Sequence, residues 1–489
     1  MKNRIFKNIF ILSISVIFLG SCEKELDQYS TLNESEVSAM TTPNAFRMAV
    51  DGAYTAMKQT YYYSGDSGSQ LIIGDLTTDN LVRSVEGRGS NFAASNFEFA
   101  ADNTQTTGLY SAAYNTISRA NFVLKHINNG VITGAEKNSI EAEVRAIRAI
   151  AHFDIVRAYS KIPTQSSDAG NNMGIYYSEQ YEPTNTENVN RNLTVNQVYD
   201  KIINDLQFTL NNINVTSPDK GRLTKAAVYG LLSRVYLYKG DYANVISNGQ
   251  QAMSLSPSLT AISNFNSIWK STNPTTNIDG VLFQILNSAQ EGVTVGVAYN
   301  QTLSGGIRSE FVVDYDFFNT YNSTDIRKST YFTTGTYAGK SYNNVTKYSG
   351  LTGGASNVVP IKYLRASEVV LNMAEAYYKT GNETQALTLL NSLRMERYSG
   401  YTSGTETGIA LLNAIYFERR LELAFENDRW YTLKRLGLSV QRSGKGHLSN
   451  GTGTAPLIQT LVSSSPKWQW PIPQTAIQKN PAIVQNPGY

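Results

Sequence analysis

The chain has 489 residues, 41% of them hydrophobic and 17% charged, with 42 Lys and Arg against 39 Asp and Glu. The surplus of three cations is Lys2, Arg4 and Lys7, so the chain after residue 21 carries 39 of each sign; that balance argues against nucleic acid or an anionic membrane surface as the main partner. Cys22 is the only cysteine, which excludes disulfides and thiolate metal sites from the folded part and leaves a hydrophobic core to hold it.

The N-terminus reads as a signal. A basic start is followed by the apolar stretch Ile9 to Leu19, broken only by Ser13 and Ser15, and then by Leu19-Gly20-Ser21 directly before Cys22. The apolar part is short of the roughly 20 residues that cross a bilayer as a helix. It resembles a bacterial lipoprotein signal, whose cysteine becomes the acylated first residue. An ordinary signal with an incidental cysteine is the alternative. Acyl chains would then anchor residues 22–489 to a membrane, each buried methylene contributing about 0.8 kcal/mol.

A first helix is expected from Pro43 to Gln59, with Thr41 or Thr42 as N-cap. Residues 60–110 read as loops and short helices. Ile140 to Tyr159 predicts a long helix with Val144, Ile147, Ala151, Ile155 and Ala158 on one face, partnered across a polar loop by Val195 to Ile213. The block Ala226 to Pro257 is a recognisable repeat unit. Leu232, Ser233 and Tyr236 pack one helix, Gly240 ends it, Tyr242, Val245, Gly249 and Ala252 pack the next, and Pro257 closes it; these offsets are those of a tetratricopeptide repeat. Residues 258–360 mix possible strands, such as Val281 to Leu286, with long polar loops. Tyr363 to Arg394 repeats the rhythm through Met373, Ala374, Tyr377, Gly381, Ala386, Leu390 and Leu393. Leu411 to Phe425 and Trp430 to Leu436 form a weaker pair. Ser439 to Ser465 reads as loop, and Pro471, Pro473, Pro481 and Pro487 exclude a long final helix.

The expected fold is therefore mainly α. A tetratricopeptide-like superhelix of about four helix pairs, over about 140–257 and 363–436, carries a loop-rich ligand-binding part at about 60–110 and 258–360, with an extended tail at 466–489, all in one domain.

No catalytic constellation emerges. Glu418, Glu422 and Glu426 share one helix face, whereas glycoside hydrolysis needs carboxyls on either side of the scissile bond. Arg419 and Arg429 lie at ion-pair spacing from them, so the row reads as structural. His126, His152 and His447 are isolated, which gives zinc hydrolysis no ligand set. His152 reads as a packing residue. Gly87-Arg88-Gly89 is a loop with little claim to an anion. No phosphate-binding glycine motif is present, and no cofactor is implied.

Binding is better supported. Tyr, at 31, outnumbers Phe, at 18, and sugar rings lie flat on aromatic faces while Asn, Asp and Arg bond their hydroxyls. One candidate cluster is Tyr61, Tyr62, Tyr63 and Asp66, followed by Asp75, Asp79, Asn80, Arg83, Asn91 and Phe92. The other is Trp269, then Tyr315, Phe317, Tyr321 and Asn322. Packing of loops onto helices is the competing use of each, and a peptide would be served by the same surface. Trp430, Trp468 and Trp470 read as core.

Three motifs then bring a resemblance. Tyr363-Leu364-Arg365-Ala366-Ser367-Glu368 leads into Ala374-Glu375-Ala376. Glu418-Arg419-Arg420-Leu421-Glu422-Leu423-Ala424-Phe425-Glu426 ends at Arg429-Trp430. Trp470-Pro471-Ile472-Pro473 is followed by Asn480-Pro481 and Gln485-Asn486-Pro487-Gly488-Tyr489. In order and spacing these resemble the SusD/RagB family of outer-membrane lipoproteins from Bacteroidetes. Asn427 departs from the pattern where a glycine is usual, Thr432 where an Asp is common, and Ala476 where a Glu often stands. The resemblance implies a non-enzymatic, surface-exposed lipoprotein that captures an oligosaccharide or oligopeptide and delivers it to a SusC-like TonB-dependent β-barrel transporter. A protein-binding scaffold or adhesin using the repeats is the alternative.

Overall fold

Side-chain caps fix where the helices begin. In the computed structural model, which describes residues 39–489 except 67, 184–186, 257, 272–277 and 292–294, helix α1 spans Pro43–Ala56. The Thr42 side chain accepts from the Ala45 N–H and Pro43 opens the first turn, so Thr42 rather than Thr41 is the cap. Cys22, the signal-like segment and Pro257 lie outside the described residues. Short elements follow as expected: α2 (Gln70–Leu76), β1 (Leu81–Arg83) and α3 (Phe92–Ser95).

Helix α4, Thr104–His126, corrects the expectation of loops and short helices over 60–110, since a 23-residue helix begins inside that range. Its buried stripe of Leu109, Ala112, Ala113, Thr116, Ile117, Ala120 and Val123 has helical spacing. Polar residues such as Ser111, Asn115, Ser118 and Asn121 lie between, and Thr104 to Thr107 open the helix, so the segment reads locally as a loop. Helices α5 (Gly134–Tyr159) and α6 (Val195–Asn212) match their expected positions, and α6 opens with a capping box between Thr194 and Gln197. Helix α5 is buried on nearly every face from Ser139 onward, not on one stripe, because α4, α6 and the C-terminal tail all lie against it.

The repeat Ala226 to Pro257 forms α7 (Lys225–Lys239) and α8 (Tyr242–Leu255), divided at Gly240 in the left-handed region. Strands β2 (Val281–Ile285), β3 (Gln301–Leu303), β4 (Gly306–Arg308), β5 (Phe311–Val313), β6 (Phe332–Tyr337), β7 (Lys340–Val345) and β8 (Ile361–Arg365) come next. Residues Tyr363 to Arg365 are thus strand, not helix. They pair antiparallel with β2, and both strands are buried throughout. Helices α9 (Ala366–Lys379), α10 (Glu383–Met395), α11 (Gly408–Glu422) and α12 (Arg429–Arg435) complete the repeats.

The helices pack in a row. Helix α1 lies on α4 and α5, and each neighbour covers the next, from α4 through α5, α6, α7 and α8 to α9, which meets α10 and α11. Each apolar face is buried by the neighbouring helices of the row, the logic of a solenoid. Gly249 permits the α8–α9 approach, since a Cβ there would stand 2.5 Å from Met373 Cγ. The three tryptophans expected in the core are there; the Trp430 and Trp468 rings are 4.3 Å apart by centroid. The tail is clasped to α5. Trp470 N–H donates to Ala158 O at 3.0 Å, and Asn486 Nδ2 donates to Tyr159 O and Trp470 O at 2.7 and 2.6 Å.

A buried ion network joins the loop-rich part to the repeats. Glu418, Glu422 and Glu426 are structural as expected, but their partners differ. Arg327 Nη2 stands 2.6 Å from Glu418, Arg365 2.6 Å from both Glu422 and Glu426, Arg397 2.8 Å from Glu422, and Lys347 2.6 Å from Glu426. The neighbours on the chain are used elsewhere: Arg419 by Asp428, and Arg429 by Asp79.

Candidate functional site

Most of the first aromatic and acidic cluster points inward. Tyr62 and Tyr63 are buried and both donate their hydroxyls to Asp154 Oδ2, at 2.7 and 2.9 Å. Tyr61 is half-buried, and its ring occupies a slot between Gly68 and Gly108, where any Cβ would strike it. Asp75 and Asn80 are fully buried, Asn80 Nδ2 donating to Asp75 Oδ1 at 2.7 Å. Burial lifts the Asp75 carboxyl to about 7, against the hydrogen bond from Asn80. Asp79 goes the other way. Burial would raise it, but Arg420 and Arg429 outweigh burial and hold it at about 2. Asn91 is buried in the left-handed region before α3 and accepts from Gln105. These residues weld loop to frame, and none offers a face to a ligand.

The second cluster divides similarly. Trp269 is 0% exposed, with the ammonium of Lys347 4.3 Å from its ring centroid. Phe317 and Tyr321 are buried, and the Tyr321 hydroxyl donates to Leu421 O. Tyr315 is half-buried and packs on Gly451 of the C-terminal loop; Asn322 is exposed. His152 is a packing residue, Nδ1 on Arg148 O and Nε2 accepting from Ser178 N–H, each at 3.0 Å.

Arg83 and Phe92 alone of that set reach open space together. The guanidinium carbon of Arg83 lies 4.9 Å from the Phe92 ring centroid, and Phe92 is 46% exposed. They stand at the mouth of a hollow of about 170 Å³ between β1, α3 and the loop Thr454 to Leu457. Val85, at 54%, and Leu457, at 68%, add exposed apolar surface to its rim. Arg442 and Asn96 form its inner wall. Strand β1 is held in place by antiparallel pairing with β5, Leu81 opposite Val313 and Arg83 opposite Phe311. Beside the hollow, Glu86 accepts from Lys340 Nζ at 2.6 Å and meets His447 Nε2 at 3.1 Å. Burial alone would raise the Glu86 carboxyl; the hydrogen bond from Lys340 leads the opposing effects and it is held at about 2.

Arg442, Asn96, Val85 and Leu457 were not expected at a site. The available signal was the run Ala455-Pro456-Leu457-Ile458, an apolar patch inside a Gly/Ser/Thr-rich loop.

Two larger hollows have their charges already paired. One of about 530 Å³ lies between α1, the 216–222 loop and β2; its Arg222 bonds Glu143 at 2.8 Å and its Lys58 bonds Glu291 at 2.6 Å. The other, of about 410 Å³, is lined by Tyr398, Tyr401 and Phe417, and its Arg394 bonds Glu418 and Glu406. Among the described residues no group of three His, Cys, Asp or Glu could hold a metal, and no helix is long and apolar enough to cross a membrane.

The model of the SusD family matches residues 165–489. The chain belongs to the SusD family. A second family model, described as "Starch-binding associating with outer membrane", matches residues 31–237 of this SusD chain. A SusD-like protein of Formosa agariphila is 24% identical, over 94% of this chain and 96% of its own length. A SusD superfamily protein of Bacteroides vulgatus has the same fold, with a TM-score of 0.79 at 24% identity over 92% of this chain and 100% of that one. Surface glycan-binding protein A of Bacteroides thetaiotaomicron, solved with laminarihexaose, superposes with a TM-score of 0.69 at 21% identity over 91% and 100% of the two chains. One SusD motif residue gains a physical reading here. Asn427, where the resemblance led to a glycine, sits at φ 63°; glycine and asparagine are the residues that tolerate the left-handed region.

Proposed function

We propose that this SusD-family chain is a lipid-anchored outer-membrane protein that captures an oligosaccharide at the Arg83–Phe92 hollow and passes it to a TonB-dependent β-barrel channel. The observation that carries the reading is the exposed Phe92 ring, backed by a guanidinium at the mouth of an open hollow. An aromatic face accepts the apolar face of a sugar ring, and a guanidinium fork bonds its hydroxyls. The hollow is smaller than the ~300–1,000 Å³ of a whole-ligand pocket, which suits one unit of a longer chain. Supporting the glycan over the peptide are the starch-binding description of the matching family model and the laminarihexaose complex of the structural relative. The signal-like segment before Cys22 supports the anchor. The carboxylates of the Glu418 row are committed to buried arginines, which supports capture without hydrolysis.

The test has two parts. Purified from its own envelope in mild detergent, the chain is expected to bring a large β-barrel with it; isolation free of any barrel defeats the delivery step. Phe92→Ala is expected to weaken glycan binding about tenfold, the loss of one stacking contact of ~1.4 kcal/mol. A glycan that binds Phe92→Ala unchanged, or a peptide that binds where glycans fail, defeats the reading.

A further inference from the structure

The wall of the hollow is unbalanced in charge. Apolar side chains, Val85, Phe92 and Leu457 among them, supply most of its surface, and among the described residues Arg83 and Arg442 are its only ionised side chains. Among the described residues no Asp or Glu lines it. Arg83 Nε donates to Ser90 O at 3.3 Å and the group lies on Phe92, with no carboxylate in ion-pair contact among the described residues. Arg442 is buried and held by carbonyls alone: Nε to Thr78 O at 2.9 Å, Nη1 to Ser95 O and Ile458 O at 2.7 Å, Nη2 to Leu76 O at 3.0 Å. Carbonyl dipoles solvate that charge without cancelling it. Burial draws the Arg442 guanidinium down to about 10, with Asp79 and Asp314 opposing, so it remains a cation at neutral pH.

The nearby acids are spent on other partners. Glu310 takes Arg88 through Nε at 2.6 Å and the backbone N–H at 2.7 Å. Asp79 takes Arg429 and Arg420. Asp314 accepts from the Phe317 N–H and the Ser443 hydroxyl. Glu86 takes Lys340 and His447. A third group points the same way: Asn96 lines the hollow, and its Nδ2 is a buried donor with no acceptor among the described residues. A buried donor left unmade costs about 1–3 kcal/mol.

Resting on the glycan-capture reading above, we propose that this hollow selects an acidic glycan and seats its negative group, a carboxylate or a sulfate ester, between Arg83, Arg442 and Asn96. A neutral sugar hydroxyl both gives and accepts, whereas the two charged side chains here only donate; Asn96 adds an N–H, and the Ser95 and Thr454 hydroxyls can do either. A carboxylate or sulfate oxygen is acceptor-only and matches them. The ring bearing the acid then lies on Phe92, Val85 and Leu457.

The test is calorimetry on the full-length chain in detergent with three hexasaccharides: a polyuronate, a sulfated galactan and neutral laminarihexaose. At least one acidic hexamer is expected to bind about tenfold tighter than laminarihexaose, and to weaken with added NaCl. Arg83→Gln is expected to cost that acidic hexamer about tenfold and laminarihexaose much less, while Arg83→Lys, which keeps the charge, recovers part of the loss. Circular dichroism verifies that each variant is folded. Whichever acidic hexamer binds tells carboxylate from sulfate. Laminarihexaose binding as tightly as both acidic hexamers, or Arg83→Gln costing all ligands equally, overturns the acidic selection and leaves glycan capture standing. Binding of none of the three by the folded chain overturns both.

Discussion

Asp154 receives both Tyr62 and Tyr63 hydroxyls on one oxygen and has Arg157 on the other. Each tyrosine therefore neutralises part of the solvation that the buried carboxylate lost on folding. Tyr62→Phe and Tyr63→Phe are each expected to lower stability by about 1.5–3 kcal/mol, the range for hydrogen bonds to a charged group, with glycan affinity unchanged. Urea unfolding and calorimetry on the same samples check both halves. Asp75 offers a pH signature. Its folded pKa of about 7 lies above the ~3.9 of an unfolded Asp, so the folded state holds the proton more tightly. That contribution is fully present below about pH 4 and is lost as pH rises through about 7. Asp75→Asn cannot ionise, so its stability relative to the native chain is expected to improve from about pH 4 to about pH 8. Urea midpoints measured across that window check it; a constant difference contradicts it. The run from Tyr61 to Arg83 is rich in sugar-binding residue types, and those types made it a candidate. The same types are what a loop uses to satisfy buried charge, and composition does not separate the two uses.

Among elements, the helices with strong local signals lie where the sequence placed them. Helix α6 has its Thr194–Gln197 box and α7 stops at Gly240. Thr194→Ala is expected to cost about 1 kcal/mol, read as a fall in thermal midpoint, with no change at the hollow, which α6 does not line. Helix α4 escaped notice because its buried stripe is mostly Ala and Thr, residues that carry little hydrophobic contrast against a Ser/Asn/Gln background. Strand β8 falls where the repeat rhythm alone predicts the start of a helix. Every one of its five residues is buried, Lys362 and Arg365 included, and so short a buried run has no periodicity to tell strand from helix. Pairing with β2, far back along the chain, decided it.

At the scale of the whole molecule, the Glu422 carboxylate is the hinge between two kinds of sequence. It is fully buried, with Arg327 from the loop-rich part, Arg365 from the end of β8 and Arg397 just after α10 all within ion-pair distance. Glu422→Gln leaves three arginines short of one countercharge and is expected to cost about 3–5 kcal/mol, the range for breaking a buried pair; differential scanning calorimetry gives the magnitude. An effect below about 1 kcal/mol would mean that the arginines are neutralised by Glu418, Glu426 and Asp325 alone. The helical repeats, the structural tryptophans and the family motifs were fixed by the amino-acid order itself, since helix period, caps and short motifs depend on residues a few positions apart. Which aromatics face solvent was not. Arg442 reaches Leu76 O from 366 positions away, and Phe92, rather than Tyr62 or Tyr63, is the ring left exposed. Burial is a property of what packs from elsewhere in the chain, and only the tertiary fold brings those partners together.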